Sequence, residues 1–158
     1  MTQTTPSSST NAVPARGLRR QALVAGYWLF TAFLAVGLVQ IFLAGLGIFA
    51  LDGRKLGSPG ENAFDPHRTG ATVLTVVALL ALVAIGIARP GARLIVLAVV
   101  LLLLTAVVQS LLASVGEDTP FFGGLHAIDG LAVLGLAAYL RRATSPGGAP
   151  GRRDGSDQ

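Results

Sequence analysis

The chain contains only two histidines, His67 and His126, and each stands at the start of a long apolar segment. A neutral imidazole is the commonest protein ligand for a metal. Two imidazoles facing one another across a helix bundle are what a haem iron needs for its two axial positions. Each histidine is followed one helical turn later by a glycine, as His67-Arg-Thr-Gly70 and His126-Ala-Ile-Asp-Gly130. Each is preceded by a similar element, Gln40-Ile-Phe-Leu43-Ala44 and Gln109-Ser-Leu-Leu112-Ala113. The chain therefore reads as two copies of one helical hairpin, each ending its turn in a histidine.

The neighbouring residues suit a flat cofactor. Gly70 and Gly130 share a helix face with their histidines, and the missing Cβ would let a ring edge approach the backbone. Arg68 at the surface is placed to pair with a propionate. Asp129, three residues after His126, could orient an imidazole or another polar partner. Gln40 and Gln109 could hydrogen-bond cofactor substituents or each other. The competing reading is structural: glycines and glutamines in membrane helices commonly serve helix packing. A zinc site would need more ligands than two imidazoles, with Asp65 or Asp129 as the available oxygen donors. No serine lies in a nucleophile motif and no phosphate-binding loop follows a strand, so no catalytic residue is assigned.

The elements that must position these side chains are read from where charge is absent. No Asp, Glu, Lys, Arg or His occurs from Gln21 to Leu51, from Thr69 to Ala88, or from Leu94 to Gly116. A helix needs about 20 apolar residues to cross the hydrocarbon core, so all three runs qualify. A fourth, Phe121 to Leu140, is long enough but carries His126 and Asp129; ionisable groups inside a span are costly and point to function. The expected fold is all-α, an integral-membrane up-down-up-down four-helix bundle of two similar hairpins. Its spans are about 22–50, 69–88, 93–115 and 121–140 within a domain of residues 21–142. A basic N-terminal arm, residues 1–20, and a Gly/Pro/Ser-rich tail, residues 143–158, are expected to be disordered.

Short connections make spans two and four diagonal, with both histidines at one depth. Loops fall near Asp52 to Arg68, Arg89 to Arg93 and Glu117 to Pro120. Ala88-Arg89-Pro90-Gly91 has the Pro and Gly of a tight turn. Arginine and lysine orient the bundle. Arg16, Arg19, Arg20, Arg89, Arg93, Arg141, Arg142, Arg152 and Arg153 lie on one side, against Arg54, Lys55 and Arg68 on the other. The positive-inside rule then places both termini in the cytoplasm of a cell-membrane protein, with the histidines toward the outer face. Tyr27, Trp28 and Tyr139 suit the inner aromatic belt. The long first apolar run exceeds a secretory signal and reads as a retained helix. The net charge of +4 comes from these flanking arginines and does not indicate nucleic-acid binding. With no cysteine, the chain supplies no disulfide, thiolate metal site or iron–sulfur cluster.

The pattern Gln40…Leu43-Ala44-Gly45, Phe64-Asp-Pro-His67-Arg68-Thr-Gly70, Gln109…Leu112-Ala113, Leu125-His126…Gly130 resembles a family of small actinobacterial four-helix membrane proteins, grouped as a domain of unknown function. More distantly it is similar to one half of haem A synthase, over about residues 30–140. By that resemblance His67 and His126 match the paired haem-ligand positions of one half, and Arg68 the residue after the first. The synthase's substrate half carries a catalytic glutamate in its first hairpin. Here Glu61 falls in a Gly/Pro/Asn loop and has no clear match, so the resemblance implies a haem-binding bundle without synthase activity.

The expected function is a bundle that binds one haem b through His67 and His126 and carries electrons, senses redox state or holds haem. The alternative is a cofactor-free accessory subunit whose polar residues lock helix packing. An enzyme reading, a haem-modifying half working as a dimer, comes third. The lipid bilayer is the expected partner, with a second copy of the chain or a respiratory-chain protein as further candidates.

Overall fold

The computed structural model describes residues 12–51, 63–116 and 119–147. All of its regular structure there is helical: α1 (Ala12–Leu51), α2 (Asp65–Ala88), α3 (Ala92–Leu103), a π-helical turn (Leu104–Val108), α4 (Gln109–Gly116) and α5 (Pro120–Ala143). The segment α3–π–α4 forms one rod, so the described residues make four rods that are long and apolar enough to cross a membrane. The expected disorder of residues 1–11 and 148–158, and most of the loop expected at Asp52 to Arg68, with Glu61, lie outside the described residues.

Four boundaries differ from the sequence reading. The tail expected to be disordered from residue 143 begins too early, since Ala143 ends α5 and Thr144 is buried with its N–H bonded to the Leu140 carbonyl at 3.0 Å. Helix α1 begins at Ala12, so residues 12–20 of the expected disordered arm are helical. The uncharged run marks only what hydrocarbon would tolerate, and the helix continues past it through Arg16, Arg19 and Arg20. Helix α2 starts at Asp65, which puts His67 and Arg68 inside the first helical turn rather than in the loop. Pro66 favours that start, because its fixed φ suits the first helical turn and its missing N–H has no partner there anyway. The third rod is interrupted at Leu104–Val108 by the π turn, which apolar composition does not reveal. The expected tight turn holds: Arg89 takes a left-handed conformation, φ 51° and ψ 52°, and its N–H bonds to the Ile85 carbonyl.

The rods pack through a core of Phe30 and Phe33 on α1, Ala78, Ala81 and Ile85 on α2, Ala98 and Leu101 on α3, and Val133, Ala137 and Leu140 on α5. Alanines at the seams let backbones approach, as is usual where lipid removes the hydrophobic drive for association and packing must supply it. Large side chains such as Phe42, Val83, Leu103 and Leu131 remain exposed on the outside. That surface would be a liability in water and suits lipid. Helix α2 runs back along α1, matching Phe64 to Gly47, the His67–Arg68 turn to Gln40 and Ile85 to Gly26. Helix α5 closes the ring against α1, with Leu134 packed over Gly37. At the end far from the histidines, the Arg141 guanidinium donates to Thr31 Oγ1 at 3.0 Å and Tyr27 Oη at 2.9 Å. It also lies over the Tyr27 ring, 5.1 Å from its centroid.

Candidate haem site

His67 occupies the first turn of α2 and His126 the second turn of α5, and the two imidazoles meet. Their centroids lie 6.2 Å apart with ring planes at 72°. Each ring is held in the same way by the preceding rod. His67 Nδ1 lies 3.1 Å from the Gln40 carbonyl oxygen, and His126 Nδ1 lies 3.1 Å from the Gln109 carbonyl oxygen. A backbone carbonyl can only accept, so Nδ1 carries the hydrogen in both rings. In a neutral imidazole Nε2 is then the bare nitrogen, and among the described residues no hydrogen bond to either Nε2 is seen. This is the arrangement that fixes tautomer and ring direction in metal-ligating histidines.

The glutamine side chains complete the clasp. Gln40 Nε2 donates to the His67 carbonyl at 2.7 Å, and Gln109 Nε2 donates to the His126 carbonyl at 3.0 Å. Backbone and side chain of one glutamine thus grip ring and backbone of one histidine. The sequence repeat becomes a structural repeat here. It is not perfect. Gln109 Nε2 spends its second hydrogen on Asp129 Oδ2, at 2.9 Å. The equivalent position in the first hairpin, three residues after His67, is Gly70, and Gln40 Oε1 is buried without a hydrogen-bond partner.

Asp129 therefore orients the Gln109 amide and acts on His126 only through it. One of the two glycines also takes a different part from the one expected. A Cβ at Gly70 would overlap the Gln40 amide, and one at Gly130 would lie 3.4 Å from Gln109 Nε2. Gly70 thus seats a glutamine, whereas a Cβ at 130 would make only an ordinary contact with one. Gly130 also lines the cavity between the histidines, whereas Gly70 does not. Arg68 lines that cavity and pairs with Asp65 at 3.5 Å, both side chains being exposed.

The cavity has a volume of about 640 Å³ and is bounded by all four rods. That is within the range of small-molecule and cofactor sites, roughly 300–1,000 Å³. Its lining mixes hydroxyls, from Thr72 and Thr75 on α2 and Ser110 and Ser114 on α4, with apolar side chains that include Ile41 and Ala44 on α1 and Ala127 and Leu131 on α5. Thr72, Thr75 and Ser110 donate to carbonyls one turn back on their own helices, at 3.5, 3.1 and 3.0 Å. Their hydroxyl lone pairs are left to accept. These hydroxyls escaped the sequence reading, as did Thr105, which lies in the π turn and donates to the Leu101 carbonyl at 2.8 Å. The usable signal was the position of Thr105, one turn before Gln109.

No family model, curated protein or solved structure matches the chain. Among the described residues no group of three or more His, Cys, Asp or Glu side chains could hold a metal ion. Two imidazoles alone fall short of the usual tetrahedral zinc set. They do suffice for a porphyrin iron, whose other four ligands are the macrocycle's nitrogens. Two imidazoles on opposite sides of one iron have centroids roughly 6 Å apart, from two metal–nitrogen bonds of about 2 Å plus the half-width of each ring.

Proposed function

We propose that this chain is a multi-pass membrane protein that binds one haem b through Nε2 of His67 and Nε2 of His126. The convergence of the two imidazoles on one cavity carries the reading, since with centroids 6.2 Å apart both could reach a single iron held there. Support comes also from the Nδ1 bonds, which leave the ligating nitrogen of each ring bare. The cavity between the rings adds to it. Arg68, on the cavity wall, is the candidate partner for a propionate. Such a group would supply one-electron chemistry, so the protein carries electrons, reports redox state or holds haem. In this reading the bundle is up-down-up-down in the cell membrane. Both termini are cytoplasmic and the histidine end is outermost, an orientation that rests on the distribution of arginine and lysine.

A second reading has its own support: the glutamine–histidine clasps cross between rods and would lock a cofactor-free accessory subunit. An absorption spectrum separates the two. Protein purified after expression with haem supplied is expected to show a Soret band and sharp reduced α/β bands, lost in His67→Ala and in His126→Ala. Folded wild-type protein that stays colourless in haem-replete membranes would overturn the haem reading and leave the packing one.

A further inference from the structure

The end of the bundle away from the histidines is strongly and one-sidedly charged. Every described arginine except Arg68 lies there, while the described carboxylates, Asp65 and Asp129, lie at the histidine end. Two of these arginines are engaged within the fold. Arg141 is bonded to Tyr27 and Thr31, and Arg93 lies over the Tyr139 ring, 5.8 Å from its centroid. Arg19 and Arg89 are placed differently. They flank a groove of about 410 Å³ between α1 and α2, whose walls include Leu18, Val83 and Ile87.

Those three apolar side chains are exposed, and an added Cβ at Gly86 in the same groove would meet nothing within 4 Å. The groove is thus an open apolar depression between the end of α2 and the facing turn of α1, with two arginines among its lining residues. Arg89 holds its place in a left-handed backbone conformation that glycine or asparagine would adopt more cheaply. A guanidinium presents a planar fork that matches phosphate oxygens. Basic pockets between helices at this face of a membrane suit anionic lipid headgroups.

We propose that the α1–α2 groove binds an anionic phospholipid, with Arg19 and Arg89 on its phosphate and an acyl chain along Leu18, Val83 and Ile87. The site rests on the membrane-spanning part of the proposed function and is independent of haem. A lipid there would bridge the two rods at the end opposite the glutamine–histidine clasps.

The test uses the full chain in nanodiscs of equal parts phosphatidylglycerol and phosphatidylcholine, delipidated stepwise, with retained lipid counted by native mass spectrometry. Wild type is expected to retain phosphatidylglycerol about tenfold or more over phosphatidylcholine, as two arginines near a bilayer surface would supply. Arg19→Gln/Arg89→Gln should lose that preference, while Arg16→Gln/Arg20→Gln, which removes the same charge from the same surface, should keep it. If the first pair compromises folding, Arg19→Gln/Arg89→Gly removes both guanidiniums and relieves the left-handed residue. Equal loss in both double variants would mean diffuse surface attraction and overturn the site, as would a wild type with no preference. Inorganic phosphate competing as well as the lipid would remove the acyl-chain half of the proposal. Failure to enter nanodiscs at all would instead count against the membrane reading.

Discussion

His67 and His126 approach edge to face across the bundle with 6.2 Å between ring centroids, although 59 positions separate them in the chain. Neither ring reaches the other unaided. Each is steered by a carbonyl from the rod before it, Gln40 for one and Gln109 for the other. The pair is therefore built twice, by the same local device, and brought together by the packing of α5 on α1.

From this follows a rescue experiment. Replacing His126 with glycine removes one proposed iron ligand but leaves the Gln109 carbonyl and a ring-sized space. Free imidazole added to haem-loaded His126→Gly protein is expected to restore the low-spin spectrum, and it should do the same in His67→Gly. Titration followed by absorbance would measure it. Rescue at neither position would mean that these two side chains are not iron ligands.

The two glutamines should not be equally important. Gln40 makes one side-chain hydrogen bond and already carries an unpartnered oxygen, whereas Gln109 makes two, one of them to the Asp129 carboxylate. Net hydrogen bonds are worth about 1 kcal/mol, and those to charged groups about 1.5–3 kcal/mol. Gln40→Leu should cost about 1 kcal/mol and Gln109→Leu about 2 kcal/mol or more, read by thermal unfolding in detergent. Asp129→Asn in a Gln109→Leu background should then recover part of the loss, because the carboxylate left without its donor is neutralised. An equal cost at both glutamines would contradict the asymmetry of the clasps.

Most of the helical frame was legible in the sequence because a helix able to cross a bilayer is severely restricted in composition. A span must be long, apolar and hydrogen-bonded within itself, so charge-free runs map directly onto rods. The repeated glutamine, histidine and glycine spacing likewise led to the residues that converge. What it could not convey was who touches whom. Gly70 was expected beside a cofactor, yet it seats Gln40 and only Gly130 lines the cavity, because a missing Cβ does not say which neighbour fills the space. Asp129 looked like a partner for its own helix's histidine and instead holds an amide from α4. The start of α2 was misplaced for a different reason. Asp65, Pro66 and Arg68 read as loop by polarity, while proline in the first turn is a helix-starting signal that outweighs it.

The contact between Gly70 and Gln40 can be tested by a double-mutant cycle. A methyl group at position 70 overlaps the Gln40 amide, which is buried and gripped at His67, so the side chain cannot simply swing aside. Gly70→Ala should destabilise by about 1–3 kcal/mol, the usual range for overpacking, despite alanine's better helix propensity. In a Gln40→Ala background the same change should cost little or turn favourable, giving a coupling of about 1 kcal/mol or more. Gly135→Ala, where an added Cβ meets nothing within 4 Å, serves as the neutral control. Additive effects at positions 40 and 70 would show that the glycine is there for some other reason.

The π turn at Leu104–Val108 supplies the last prediction, because it changes how the third rod meets the other three. A π turn holds one residue more than the α-helical turn it replaces. The rods on either side keep their faces while the chain between them is one residue longer. In a regular helix each residue advances about 100°, so Gln109, eight residues after buried Leu101, would stand roughly 80° off the core face. Absorbing one residue in the wide turn brings it to about −20°, where it reaches His126 and Asp129. Deleting Val107 should therefore be tolerated. The turn reverts to ordinary helix, the flanking faces stay in register, and Gln109 keeps its bonds, so unfolding temperature and the haem spectrum hold or improve. Deleting Val77 from α2 has no bulge to absorb it. Everything beyond it would rotate by about 100°, carrying Ala81 and Ile85 out of the core, and the protein should fail to fold. Comparison of the two deletions by size-exclusion profile and absorbance decides the matter. A Val107 deletion as damaging as the Val77 deletion would mean that the π turn does not serve to set the register of Gln109.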